Sequence, residues 1–88
     1  MKIRSIKTTP RFEKSFEHLP KRVQIKATVR KEIFAQGPFS PKLKTHKLTG
    51  KLNNIWSFSV DYSYRIIFEF IADDKVIFYD IGTHGIYK

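Results

Sequence analysis

Residues 55–81 constrain the fold most. IWSFSVD (55–61) sets Trp56, Phe58 and Val60 against Ser57 and Ser59. YRIIFEFI (64–71) sets Tyr64, Ile66, Phe68 and Phe70 against Arg65, Ile67, Glu69 and Ile71. KVIFYDI (75–81) is a third run of β-branched and aromatic residues. A side-chain period of two belongs to an extended strand. The connectors, around 61–63 and 72–74, are too short for a crossover, so neighbouring strands must run antiparallel. This predicts a three-stranded meander with one face on a core.

Upstream the period changes. KIRSIKTT (2–9) alternates imperfectly and reads as an N-terminal strand. Thr9 followed by Pro10 reads as a helix cap with proline at the first helical position. Phe12, Phe16 and Leu19 then share one face of a short helix. Pro20 can begin a second helix, over about residues 20–36. Val23, Ala27 and Phe34 line its stripe, with Val29 and Ile33 beside it, and Gly37 and Pro38 end it. Residues 39–54, FSPKLKTHKLTGKLNN, read as a basic loop. The predicted order is β-α-α-β-β-β: an α+β fold in two layers, a helical hairpin on an antiparallel sheet. At 88 residues the chain is expected to form a single domain over 1–88.

Composition narrows the function classes. Cysteine is absent, which excludes disulfides and thiolate metal sites and suits a reducing cytoplasm. The apolar runs are too short for a membrane span, and MKIRSIKTTP has no apolar core of a signal peptide. The formal charge is +9, and it is lopsided. Residues 1–51 hold 14 basic and 3 acidic side chains, whereas residues 52–88 hold 3 and 5. Solubility alone needs no such asymmetry. A polyanion such as RNA or DNA suits it; an acidic protein or an anionic membrane surface would also satisfy it.

Three clusters carry candidate chemistry. Lys42, Lys44, Lys47 and Lys51 surround His46 in the basic loop. Arg65 sits on a strand of aromatic and β-branched residues, where Glu69 or Asp61 could pair with it. His84 and Tyr87 stand in the terminal IGTHGIYK. An antiparallel meander can bring the loop, the Arg65 strand and the last strand's end to one place. Such a set suits RNA cleavage by the substrate's own 2′-OH, which needs a base, an acid and positive charge on the phosphate. Histidine serves as base or acid near neutral pH, arginine forks onto phosphate oxygens, and tyrosine stacks on an unpaired base. The reaction requires no metal, and the spacing of the three histidines suggests none.

The element order, H-x-L-x-G (His46, Leu48, Gly50), the Y-R-I-I-F strand (64–68) and the terminal G-T-H-x-x-Y (Gly82, Thr83, His84, Tyr87) together resemble the RelE/ParE toxin superfamily of type II toxin–antitoxin systems. The resemblance spans nearly the whole chain. It implies a cytoplasmic toxin whose RelE-like and YafQ-like members cut mRNA, usually on the ribosome. It also implies a cognate antitoxin that neutralises the toxin, and no small-molecule cofactor. His46 matches the loop histidine of YafQ-like members, His84 their terminal histidine, and Tyr87 their terminal aromatic. Arg65 matches the strand arginine of RelE-like members. Ser59 and Ser63 stand where YafQ-like members carry a histidine and an aspartate. Two other activities fit the same fold: a ParE-like, non-enzymatic inhibitor of DNA gyrase, and an inactive relative acting as a binding module.

Overall fold

The structure, a computed structural model, describes residues 1–49 and 54–87, with side chains up to Ile86. Gly50, Lys51 and the Tyr87 ring therefore lie outside the described residues. Strand β1 (Ser5–Thr8) leads into helices α1 (Pro10–Glu17) and α2 (Lys21–Gln36). Strands β2 (His46–Lys47), β3 (Trp56–Ser59), β4 (Arg65–Ala72) and β5 (Lys75–Gly82) follow. Short 3-10 turns occupy Pro41–Leu43 and His84–Tyr87.

The α1 start is set by its sequence. Thr9 is extended at φ −91° and ψ 160°, and its hydroxyl accepts the Phe12 N–H at 3.0 Å, while Pro10 fills a position whose N–H would have had no helical partner. The same hydroxyl donates to the Tyr79 carbonyl at 2.8 Å, so one side chain caps α1 and fastens it to β5. In α2, Val23, Ala27 and Phe34 are buried as their spacing predicts, and Ile33 is half-buried. Val29 departs from the prediction. It lies about 200° around the helix from Ala27 and is exposed, as is Ile25 one turn before it.

The strands form one sheet in the order β1-β5-β4-β3-β2, with β1 parallel to β5 and the other pairs antiparallel. The expected meander is β3-β4-β5. The basic loop is not wholly loop: His46 and Lys47 pair with Ser57 and Trp56, and the Leu48 N–H donates to the Ile55 carbonyl at 2.8 Å. An open strand edge offers unpaired donors and acceptors, and this short segment satisfies some of them. The result is five strands rather than four.

Both helices cover one face of the sheet. Phe34 is fully buried and stacks on Phe58 at 4.7 Å between ring centroids, and it meets Phe68 and Phe78 edge-on at 4.9 and 5.5 Å. One helix side chain thus touches β3, β4 and β5. Phe12 extends the cluster through Phe78 at 5.5 Å.

Strand β5 contains a bulge. Ile67 pairs with Asp80 and Phe68 with Phe78, so Tyr79 is the extra residue. The extra residue shifts the alternation and lets Asp80 and Ile81 both be buried. The Asp80 carboxylate accepts from Ser15 Oγ at 2.6 Å and pairs with Arg11 Nε at 3.0 Å, which supplies the partners a buried charge needs. Tyr79 itself donates to Glu69 at 2.8 Å. That bond, burial and the Glu69 charge hold the phenol above its ordinary range.

Beyond the bulge, Gly82 ends β5 opposite Arg65. A Cβ at Gly82 would lie 2.5 Å from Ile86 Cγ2, so any larger residue forces Ile86 or the terminal turn to move. Gly82→Ala should displace the turn carrying His84. The amide resonances of 83–87 should shift while those of α2 stay in place; an unmoved terminal turn would contradict the close approach.

Candidate functional site

A cleft of about 620 Å³ opens where α2, the Pro41–Leu43 turn and the β3–β4 hairpin meet. Lys26 and Arg30 line it from α2, Lys42 and Lys44 from the turn, and His46 from β2. Ser59, Val60, Asp61, Tyr62 and Arg65 complete it. The register accounts for the strand residues. Ser59 is opposite Arg65, and His46 is opposite Ser57. By strand alternation these residues share the face turned away from Phe58 and Ile66.

The backbone around His46 orients its ring. Lys44 adopts a left-handed conformation at φ 51°, and His46 Nδ1 lies 3.0 Å from the Lys44 carbonyl oxygen. A carbonyl can only accept, so Nδ1 is the donor, and the neutral ring keeps its lone pair on Nε2. Thr45 Oγ1 donates to the Pro38 carbonyl at 2.5 Å, and Arg30 donates to the Lys42 carbonyl at 2.9 Å. These bonds tie the basic segment to α2 and to the chain that leaves it.

The hairpin on the other wall is equally fixed. Asp61 Oδ1 accepts the N–H groups of Ser63 and Tyr64 at 2.9 and 2.7 Å, an Asx turn that sets the start of β4. Arg22 lies 3.9 Å from the other Asp61 oxygen. On the neighbouring stretch of β4, Glu69 accepts from Tyr79 at 2.8 Å.

The predicted site residues divide into three groups. His46, Arg65, Lys42 and Lys44 line one cleft. Lys47 is exposed and, one residue beyond His46 on β2, projects to the opposite side. His84 is exposed at the start of the terminal turn, two residues past the Gly82 that faces Arg65 across the β4–β5 pair, and it is not among the residues lining the cleft. Lys51 and the Tyr87 ring are outside the described residues.

Lys26 and Arg30 were not foreseen. With Arg22 they recur every four residues and form a basic ridge along α2. That spacing was visible, but nothing in it says that the ridge borders a cleft. Among the described residues no group of three or more His, Cys, Asp or Glu could hold a metal ion, and no helix is long and apolar enough to cross a membrane.

The helical hairpin, the five-stranded sheet and the matches to known toxins define a protein of the RelE/ParE toxin superfamily. The family model described as ParE toxin of type II toxin–antitoxin system, parDE, matches residues 6–86, and the chain belongs to that family. Among solved structures, the YoeB/ParE toxin from Agrobacterium tumefaciens is similar with a TM-score of 0.76 at 15% identity, over 91% of this chain and 98% of that one. The E. coli DinJ–YafQ toxin–antitoxin complex contains a chain similar with a TM-score of 0.73 at 19% identity, over 92% of each. The archaeal RelE–RelB complex from Pyrococcus horikoshii OT3 contains one at 0.71 and 19%, over 97% of this chain and 98% of that one. At these identities the likeness is one of fold. A search of curated proteins returned no match.

Proposed function

We propose that this toxin is a metal-independent endoribonuclease that cuts mRNA on the ribosome and acts as a single domain in the cytoplasm. The observation that carries this reading is the cleft itself. It joins His46, whose Nδ1 faces the Lys44 carbonyl, to Arg65 and to the cations of α2 and the basic turn. His46 Nε2 takes the proton of the substrate's 2′-OH. The 2′ oxygen attacks phosphorus, the bond from phosphorus to the 5′ oxygen breaks, and the leaving oxygen takes a proton from His84. The products are a 2′,3′-cyclic phosphate and a 5′-hydroxyl end. Arg65 bears the charge that builds on the phosphate, and Tyr87 stacks on a base.

Lys42 and Lys44 contact phosphates in this reading, with Lys47 and Lys51 on the flanks. RNA affinity should then fall with salt at a log–log slope of about −0.7 per contact for single strands. Neutralising Lys42 and Lys44 should flatten that slope by about 1.4. An unaltered slope would mean that the turn is only a solvated surface.

A cognate antitoxin is the second partner. Chains of the same fold are found with antitoxins in the E. coli DinJ–YafQ and Methanococcus jannaschii RelB–RelE complexes. On this chain the exposed Ile25 and Val29 lie on the same helix as the Arg22, Lys26 and Arg30 ridge, which suits an acidic amphipathic segment.

The family match favours a second reading, since its description is that of a ParE toxin. In that reading the chain inhibits DNA gyrase without cutting RNA. Induction of the toxin followed by primer extension on mRNA, beside a supercoiling assay, separates the two. Discrete mRNA cuts with normal supercoiling are expected. Blocked supercoiling with intact mRNA would replace the nuclease with the gyrase inhibitor.

A further inference from the structure

We propose that Tyr62, at the tip of the β3–β4 hairpin, is a stacking platform for an unpaired base of the RNA that enters the basic cleft. The inference rests on the RNA-cleaving reading and adds to it a substrate-positioning residue.

Tyr62 is 98% exposed, the most open of the large apolar or aromatic side chains on the described surface. A lone exposed aromatic at a hairpin tip needs no explanation by itself. Two further observations give this one a role. First, Tyr62 is among the residues that border the cleft, together with Lys26, Arg30, Lys42, Lys44 and Arg65. Cations that follow a phosphate backbone, with an aromatic face beside them, are what proteins use to hold single-stranded nucleic acid. An acidic peptide would be served by the cations alone, and a duplex has no unstacked base to offer.

Second, the backbone beneath Tyr62 is held more firmly than its exposure suggests. The Val60 and Asp61 N–H groups both donate to the Tyr64 carbonyl, at 2.8 and 3.2 Å. The Asp61 carboxylate closes the turn from within and lies 3.9 Å from Arg22. The ring therefore stands on a braced turn, and little backbone order has to be gained when a base stacks on it. Tyr62 also stands three residues before Arg65, so a base on its ring belongs to a nucleotide close to the phosphate under attack.

The test uses the whole chain and ribosomes programmed with a short single-stranded mRNA carrying 2-aminopurine beside the cut position. A 2′-deoxy sugar at the attacking nucleotide allows binding without cleavage. Wild type should quench the 2-aminopurine fluorescence on binding. Tyr62→Ala should lose the quenching and bind about 5- to 150-fold more weakly. Tyr62→Phe should behave as wild type, because the face of the ring is retained. The salt slope should be the same in all three, since no phosphate contact changes, and so should the denaturation midpoint. If Tyr62→Ala quenches and binds as wild type does, the stacking role is overturned and the nuclease reading stands. If wild type neither quenches this RNA on the ribosome nor cuts mRNA in the primer-extension assay, both fall together.

Discussion

Replacing Phe34 by alanine should lower the folding free energy by about 3–5 kcal/mol. Phe34 is fully buried and is the one helix side chain whose ring meets Phe58, Phe68 and Phe78, one from each central strand. Truncation leaves a ring-sized cavity between the layers and removes three aromatic contacts together. For a chain of 88 residues the whole stability is about 4–13 kcal/mol, so the variant should be partly unfolded at moderate temperature. Urea denaturation measures the loss, with Ile25→Ala as the control. Ile25 is on the same helix but 58% exposed, and its truncation should cost no more than about 0.5 kcal/mol. Equal effects of the two changes would show that the helix does not pack as described.

That contrast between Phe34 and Ile25 marks how far the sequence can be read. The stripe of α2 was legible because Val23, Ala27 and Phe34 fall at helical spacing, and Phe58, Ile66 and Phe68 were legible because they alternate. Both signals are local and repeat along the chain. What escaped depends on distant partners. Strand β1 gives no sign that it joins β5 in parallel, because its partners lie 70 residues away. The two residues of β2 are extended because β3 has an open edge, not because His46 and Lys47 prefer strand. The bulge at Tyr79 is hidden in a run that would alternate equally well without it, and the buried Asp80 is tolerable only because Arg11 and Ser15 of α1 are there to meet it.

The site was legible in the same uneven way. His46, Arg65, Lys42 and Lys44 stood out as cations and an imidazole in segments that a meander can bring together, and they line one cleft. Lys26 and Arg30 did not stand out. A charged residue on the outside of a helix is ordinary, and only the tertiary fold decides which ridge borders a groove. His84 is harder still: its place depends on the turn after Gly82, which the approach of Ile86 shapes rather than any strand or helix period.

His46→Ala and Arg65→Ala should each reduce mRNA cleavage by about 10²- to 10⁴-fold while antitoxin binding persists. In the proposed reading His46 supplies the base through Nε2, with Nδ1 turned to the Lys44 carbonyl at 3.0 Å. Its ring is exposed, so its loss should leave the denaturation midpoint in place. Arg65 is half-buried and needs a second variant. Arg65→Lys keeps the charge and the strand but not the planar fork, so it should fold normally and recover only part of the lost rate. The substrate provides the matching control. A 2′-deoxy nucleotide at the cut position removes the attacking oxygen and should abolish cleavage by wild type outright, whereas a chelator should leave cleavage unchanged. The upstream fragment should carry a 2′,3′-cyclic phosphate or the 3′-phosphate that its hydrolysis yields. Cleavage that survives the 2′-deoxy substitution would mean that water, not the sugar, attacks phosphorus. His46 would then have no 2′-OH to deprotonate. Undiminished cutting by both alanine variants would place the reaction outside this cleft.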